Sequence, residues 1–355
     1  MAARGGHLLE YLIELFADLT VTPMVGILSY LLGQQEPQSS DLNGPDFIEQ
    51  RGDPETPPPY TFPGIRLTSF RLDADLIALQ KLCDRLLNIG NLATRGFEYR
   101  AIIPYVDMEI LFYPRMETPL FNNYMTQHEI YFRFFVLKFQ LVGAMLLPTL
   151  ELACFFPFIF VDNPWSAITG REVVGYPKEL ALFHLPKQGS YPIKVDTQVI
   201  EQFGNGTPVS WEPFVTITDA KSGANAAKSG AKQLPPKRWP HGELKGFNPA
   251  LAPTLEKFAE MPEGICSTIH LKQFRDAERA TKACYQALVQ GSFGITHFGK
   301  VELMPPAEVA IASYESLPII TLLGLKGTSL RPVWQYRMEC DMKFGDTRDL
   351  YVVAG

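Results

Sequence analysis

The chain has 355 residues, of which 46% are hydrophobic and 20% are charged, as is ordinary for a globular protein with a sizeable core. Its formal net charge is -6 at pH 7. Proteins that bind nucleic acids usually present a basic stripe, so this charge excludes a general nucleic-acid binder and we expect no nucleic-acid partner.

The cysteines and histidines are scattered along the chain. The cysteines are odd in number, and none has the CxxC or Cys/His spacing of zinc ligands. We therefore expect reduced thiols, no metal and no cofactor. The apolar N-terminal segment is interrupted by Glu10, Glu14 and Asp18, which is not typical of a signal peptide, so we expect a cytoplasmic protein.

The first 60 residues differ in composition from the rest. Apolar side chains recur at helical spacing over residues 7–19, with acidic side chains on the other face, and predict an amphipathic helix. Residues 34–63 are rich in Pro, Gly, Ser and acids, which is typical of a linker. We divide the chain into an N-terminal helical extension with a Pro-rich linker (residues 1–60) and a main domain (residues 61–355).

The main domain mixes helices and strands. Asp73 or Asp75 can cap a helix whose apolar stripe runs from Leu76 to Leu87, and apolar spacing predicts a second helix at 271–289. Alternation of period two predicts strands at 193–203, 214–218 and, most clearly, 334–344. Since strands and helices do not alternate regularly, the pattern favours an antiparallel, β-rich α+β domain over a parallel doubly wound sheet.

The most apolar run, residues 141–161, is almost long enough to cross a bilayer. It carries Glu151, Pro148 and Pro157, which are unfavourable in a membrane helix of this length. We predict two buried strands joined at the proline-containing middle, and we expect no membrane partner.

The segment VDNPWSAITGREVVGYPKELALFHL, from Val161 to Leu185, carries the chemistry. Gly170 and Gly175 bracket a short predicted strand. Tyr176-Pro177 fixes the backbone directly before Lys178, so this lysine starts from a rigid anchor. From these features alone, an ordinary surface lysine is the commoner interpretation.

Three short motifs in this segment stand in register without gaps: Asp162-Asn163, Gly170-Arg171-Glu172 and Tyr176-Pro177-Lys178. In this register the segment resembles the signature of the acetoacetate decarboxylase family. The resemblance implies a β-rich acetoacetate decarboxylase-like barrel with flanking helices, a homo-oligomer, and Lys178 as a nucleophile that forms an imine (Schiff base) with a substrate carbonyl.

The resemblance also implies roles for residues outside the signature. Glu129 precedes an apolar strand at the relative position of the family's active-site glutamate; without the resemblance it is a solvated strand end. Arg66 is the nearest counterpart of the family's substrate-binding arginine, displaced by a few residues.

The sequence departs from the family at Glu179, where the family has a second lysine. If Glu179 pointed into the cavity, its carboxylate would raise the pKa of Lys178 and oppose activation. Adjacent residues of a strand point to opposite faces, so a position outside the cavity is the alternative, and the sequence leaves the two open. We interpret Arg171 and Glu172 as a structural ion pair.

Two functions follow from these residues. The leading hypothesis is a lyase that forms an imine with a keto acid, aldehyde or ketone. It would decarboxylate a β-keto acid or catalyse a related aldol condensation and dehydration. The alternative is a non-catalytic binding module that holds a hydrophobic carboxylic acid or lipid in the same cavity.

Overall fold

The computed structural model describes residues 56–119, 124–204, 206–220 and 266–353. The amphipathic helix predicted at 7–19 and most of the predicted linker lie outside these residues. The strands in chain order are β1 (Tyr60–Asp73), β2 (Phe97–Ala101), β3 (Tyr105–Glu117), β4 (Tyr124–Val142), β5 (Met145–Val161), β6 (Lys178–His184), β7 (Ile193–Val199), β8 (Ser210–Asp219), β9 (Cys266–Arg275), β10 (Ala283–Leu303), β11 (Ala307–Ile311), β12 (Ser329–Leu330), β13 (Trp334–Phe344) and β14 (Arg348–Val352). The helices are α1 (Leu76–Leu86), α2 (Leu92–Arg95), α3 (Pro164–Thr169) and α4 (Ile319–Leu323), and a π-helical turn spans Gly170–Val174.

A closed ring of strands forms the centre of the described part of the chain. Its order is β5-β9-β10-β13-β1-β3-β4, and the long pairing of β4 with β5 completes the circuit. Neighbours in the ring are antiparallel except for β5 and β9. A second sheet leaves the ring at β5, which pairs in parallel with β6, and continues through β7, β8, β11 and β12. This arrangement confirms the predicted β-rich α+β barrel with flanking helices.

Strand β4 has both faces buried. Ile130 and Phe132 belong to a core that also contains residues of α1 and of the second sheet, so this face points out of the ring. Tyr131 and Glu129 alternate with them and are also buried, on the face toward the interior of the ring. A strand buried on both faces carries a nearly continuous apolar sequence, as β4 does over residues 130–137.

The apolar run 141–161 forms part of two paired strands, but the position of their joint was predicted wrongly. The chain turns at Gly143-Ala144, where Gly143 has a φ of 61°. Pro148 and Pro157 lie within β5, beside two irregularities in the pairing with β4. Prolines are tolerated at such bulges because no ladder hydrogen bond needs their missing N–H. No helix in the described part of the chain is long and apolar enough to cross a membrane.

The helix predicted at 271–289 is wrong. Strands β9 and β10 occupy this region and pair as an antiparallel hairpin. The side chain of Asp276 accepts hydrogen bonds from the N–H groups of Glu278 (3.1 Å) and Arg279 (2.7 Å), which stabilises the reversal of the chain between the strands. Such local side-chain hydrogen bonds compete with helix formation. The helical spacing of the apolar residues outweighed the turn signal of Asp276 in the prediction.

Other predicted elements are close to the observed ones. The strand predicted at 334–344 is β13, and the one predicted at 193–203 ends earlier, at Val199. Helix α1 begins after Asp75, whose carboxylate accepts a hydrogen bond from the N–H of Ala78 at 2.8 Å. Of the two candidate caps, Asp75 is therefore the one used.

We expect Asp75→Ala to lower the free energy of unfolding by about 1 kcal/mol, because the first turn of α1 loses its side-chain cap. Asp73, exposed at the end of β1, is the matched control. Asp73→Ala should change the free energy by less than about 0.5 kcal/mol. Urea unfolding of both variants measures the difference, and equal losses would contradict the assignment of the cap.

Candidate active site

The segment before Lys178 is a compact helical turn. Asn163 caps α3 by accepting hydrogen bonds from the N–H groups of Trp165 (3.0 Å) and Ser166 (3.3 Å). Helix α3 continues directly into the π-helical turn, which ends at Gly175 with a φ of 86°. The short strand predicted between Gly170 and Gly175 is therefore wrong, because the helix that starts at Asn163 extends through this segment.

Gly170 makes room for the lysine side chain. A Cβ atom on Gly170 would lie 2.5 Å from Cδ of Lys178 and 2.9 Å from its Cε, both far inside van der Waals contact. The glycine of the Gly-Arg-Glu motif thus has a steric role: it lets the turn pack directly against the stem of Lys178.

Lys178 is the first residue of β6, and only 9% of it is exposed. Its Nζ lies 2.9 Å from Oε2 of Glu129 and donates a hydrogen bond to Oγ of Ser166 at 2.9 Å. The structure therefore brings together the two residues predicted as catalytic, in a buried ion pair.

Two neighbours hold the carboxylate of Glu129. The hydroxyl of Tyr113 donates to Oε1 at 3.2 Å, and Nε2 of Gln127 donates to Oε2 at 3.4 Å. Burial, together with the adjacent carboxylate, raises the pKa of Tyr113 well above its ordinary value, so the phenol keeps its proton and remains a donor.

The ion pair lies in the wall of a cavity in the ring interior. The cavity has about 730 Å³ of empty space, part of it open to solvent. Its described lining is mostly aromatic and aliphatic, and Lys178 and Glu129 are the charged residues in it. The other lining residues are Tyr60, Phe62, Tyr113, Met116, Gln127, Tyr131, Phe156, Ile159, Ser166, Thr169, Gly170, Val174, Tyr176, Phe293, Met342 and Phe344.

A second buried charge network supports the cavity from within the sheet. The hydroxyl of Tyr131 donates to Glu109, which also pairs with Arg133 at 2.8 Å. Arg71 pairs with Asp107 at 2.7 Å, and Arg133 lies 3.6 Å from the same carboxylate. Two arginines and two carboxylates balance, which offsets the cost of burying them.

Three other residues singled out in the sequence lie outside the cavity. Arg66 is on the outer face of β1, exposed, with its guanidinium 4.6 Å from the centre of the Phe112 ring, so it is not brought together with Lys178. Glu179 is exposed, which settles the orientation that the sequence left open. Arg171 pairs with Glu179 at 3.0 Å and not with Glu172, because β6 runs back alongside the turn.

Sequence reasoning missed the polar residues around the ion pair. Gln127 and Tyr131 stand two positions before and after Glu129, so period-two alternation along β4 carried a signal for both. Ser166 stands three positions after the cap residue Asn163, in the first turn of α3. Tyr113 carried no such local signal, since its strand pairing with β4 decides its position.

The described residues also contain no cluster of three or more His, Cys, Asp or Glu side chains arranged to hold a metal ion.

Comparison with known proteins gives matches at the level of structure. The chain matches no known protein-family pattern, and no curated protein matches it in sequence. The crystal structure of acetoacetate decarboxylase from Legionella pneumophila is similar with a TM-score of 0.53 at 15% identity, covering 91% of this chain and 98% of that one.

The chain has the acetoacetate decarboxylase-like fold. An acetoacetate decarboxylase-like enzyme from Sphingomonas wittichii RW1 is also similar, with a TM-score of 0.51 at 11% identity, covering 87% of this chain and all of that one (100%). Both structures match this chain over nearly all of their own length.

His270 is packed behind the cavity wall. It is 1% exposed, and its ring centre lies 4.1 Å from that of Tyr176, a lining residue. Nε2 is 2.8 Å from the hydroxyl of Thr268. Burial lowers the pKa of His270 from 6.5 to about 3, so the imidazole is neutral in the folded protein.

We expect this histidine to make stability depend on pH. Between about pH 6.5 and about pH 3 the imidazole of His270 is protonated in the unfolded chain but stays neutral in the folded protein. As the pH is lowered through this range, His270 should therefore lower the free energy of unfolding by up to about 1.4 kcal/mol per pH unit.

His270→Asn removes that contribution, whereas the carboxylates titrate in both proteins. The free energy of unfolding of the wild type, minus that of the variant, should become smaller as the pH is lowered from about 7 to about 4.5. Urea unfolding at several pH values measures it, and parallel profiles would contradict the prediction.

Proposed function

We propose that the protein is an imine-forming lyase in which Lys178 condenses with the carbonyl group of a keto acid. The observation that carries the proposal is the buried Lys178–Glu129 pair, 2.9 Å apart in the wall of a mostly apolar cavity. A nucleophilic amine needs a nearby base that can take its proton, and the carboxylate of Glu129 is within hydrogen-bonding distance of Nζ.

In the first step the Lys178 ammonium passes a proton to Glu129. The neutral Nζ then attacks the carbonyl carbon, forming a C–N bond as the carbonyl π bond breaks, and one proton moves from the attacking nitrogen to the carbonyl oxygen. That oxygen leaves as water with a second proton, which Glu129 is close enough to supply. The product is a protonated imine beside the carboxylate, so the positive charge keeps its partner.

Decarboxylation follows from the imine. The bond between the α-carbon and the carboxylate breaks, its electron pair moves into the iminium to give an enamine, and carbon dioxide leaves. The enamine carbon takes up a proton, and water hydrolyses the imine to release a ketone and restore Lys178. If the enamine instead attacks an aldehyde, the same site catalyses aldol condensation and dehydration.

The charges of the cavity support decarboxylation. Among the described lining residues Lys178 is the only cation, so a substrate carboxylate finds no other positive partner there. A charged carboxylate is unfavourable in apolar surroundings, whereas carbon dioxide is neutral. The cavity therefore favours the loss of this group.

Other parts of the same proposal rest on the sequence. We propose that residues 61–355 form the catalytic domain and that the protein is a cytoplasmic homo-oligomer. No disulfide joins Cys83, Cys154, Cys284 and Cys340, which is consistent with a reducing compartment.

A binding module for a hydrophobic carboxylic acid is the second candidate. It is favoured by the largely apolar lining and by Lys178, whose ammonium could bind the carboxylate directly. Chemical trapping of the imine separates the two functions.

We expect borohydride to trap an adduct on Lys178 when the protein is incubated with acetoacetate or pyruvate, because reduction makes the C–N bond permanent. Peptide mapping by mass spectrometry locates the adduct. Lys178→Ala should abolish it. Lys138, which also pairs with a glutamate at 2.9 Å but outside the cavity, is the matched control, and Lys138→Ala should leave the adduct intact.

The enzyme hypothesis is overturned if no carbonyl compound gives an adduct while fatty acids bind with a stoichiometry near one. If an adduct does form on Lys178, release of carbon dioxide from acetoacetate distinguishes decarboxylation from aldol chemistry.

We expect Glu129→Gln to slow formation of the Lys178 adduct by about 10²-fold or more, since the group that exchanges protons with the amine is lost. The control is Glu151→Gln, which breaks the exposed pair with Lys138 and should have no effect on the rate. Initial rates of trapping measure both. An unchanged rate in Glu129→Gln would remove this carboxylate from the proton transfers.

A further inference from the structure

Three neighbouring strands of the ring present a continuous apolar surface to the cavity. Tyr60 of β1 is opposite Phe344 of β13, which is in turn opposite Phe293 of β10. Phe62 is likewise opposite Met342. Directly opposite residues of paired strands lie on the same face of a sheet, and all five of these side chains line the cavity. We call these five residues the apolar wall.

Tyr176 connects the apolar wall to the reactive amine. Its ring centre lies 6.0 Å from Nζ of Lys178 and 5.9 Å from the ring centre of Phe344. The Phe344 ring lies 6.0 Å from that of Tyr60, with an angle of 25° between the two planes. A carbonyl compound held by Nζ therefore has the Tyr176 ring beside it and the apolar wall next to that ring.

The surface that a ligand can touch in this cavity is mostly apolar. Among the described lining residues, Phe62, Tyr176, Phe293 and Met342 are only partly buried, whereas the others are buried. Apart from the hydroxyl of Tyr176, these four side chains carry no strong hydrogen-bonding group. A polar substituent placed against them would lose its hydrating water without gaining a partner, which is unfavourable.

The polar groups of the lining surround the ion pair. Ser166 bonds the amine, and Tyr113 and Gln127 bond the carboxylate. The hydroxyl of Tyr60, the one hydroxyl of the apolar wall, donates to the backbone oxygen of Thr56. The cavity thus has a polar region at the amine, where a carbonyl group reacts, and an apolar region along the wall.

We infer that the carbonyl substrate carries an apolar substituent of several carbons, alkyl or aryl, which packs against the apolar wall while Lys178 binds the carbonyl carbon. The inference rests on the proposed imine function and narrows its substrate class to ketones and β-keto acids larger than acetone and acetoacetate. A methyl substituent would leave most of the wall uncovered, whereas each further CH₂ group that is buried there strengthens binding.

The test uses methyl ketones that share the group CH₃–CO–CH₂ and differ in the apolar group attached to it. Borohydride trapping at Lys178 is measured below saturation with 2-butanone, 2-heptanone and 4-phenyl-2-butanone. The variants are Phe62→Ala, which removes a ring from the apolar wall, and Phe112→Ala as the matched control. Phe112 is also partly buried on a strand of the ring, β3, but is not among the lining residues.

We expect the wild type to trap 2-heptanone and 4-phenyl-2-butanone at least about tenfold faster than 2-butanone, because each buries several more carbon atoms. Phe62→Ala should reduce this ratio by about threefold or more, and Phe112→Ala should keep it. The intrinsic reactivity of each ketone is the same in every variant, so the change in ratio isolates the contact with the wall.

Each outcome decides one proposal. Adducts that form at equal rates with the three ketones overturn the apolar wall as a substrate-binding surface and leave the imine function standing. A preference for the larger ketones that is unchanged in Phe62→Ala also overturns the role of the wall. No adduct with any ketone or keto acid overturns both proposals. If Phe62→Ala does not fold, Met342→Ala gives the same comparison, and the series of ketones in the wild type decides without either variant.

Discussion

The buried ion pair between Lys178 and Glu129 is the interaction on which the rest of the site depends. Removing two charges from water costs several kcal/mol per ion, and their attraction offsets this only when the geometry is good and the remaining lone pairs are bonded. The hydroxyl of Ser166 accepts a further hydrogen bond from the amine, whereas Tyr113 and Gln127 donate hydrogen bonds to the carboxylate. The polar residues of this apolar cavity are thus largely those that the pair itself requires.

The topology explains how two strands distant in sequence meet there. Strand β5 is shared by the ring and the second sheet: β4 pairs with one edge of it and β6 with the other. Glu129 is opposite Val161 and Lys178 is opposite Ile159, so β5 separates the two residues by one strand. The branch point of the sheet therefore sets the spacing of the pair.

The sequence predicted those features that local pattern decides. Helix α1 with Asp75 as one of two candidate caps and strand β13 follow from spacing, and the choice of Lys178 as a candidate follows from a resemblance that rests on three motifs in register. Features that depend on pairing between strands distant in sequence could not be predicted from local sequence patterns. The hairpin at 271–289 was taken for a helix because short apolar runs fit both periods. The position of Tyr113 beside Glu129 likewise depends on the register of β3 against β4.

The close approach of Gly170 to the lysine stem also links two positions of the chain by volume. A side chain at 170 would displace the stem of Lys178 from its observed position, because the added Cβ would lie 2.5 Å from Cδ. If the lysine were shortened to alanine, the vacated space would accept a methyl group at 170 and restore close packing. A chain with this fold that has a short side chain at position 178 can therefore carry a side chain at position 170, so we expect the two positions to vary together.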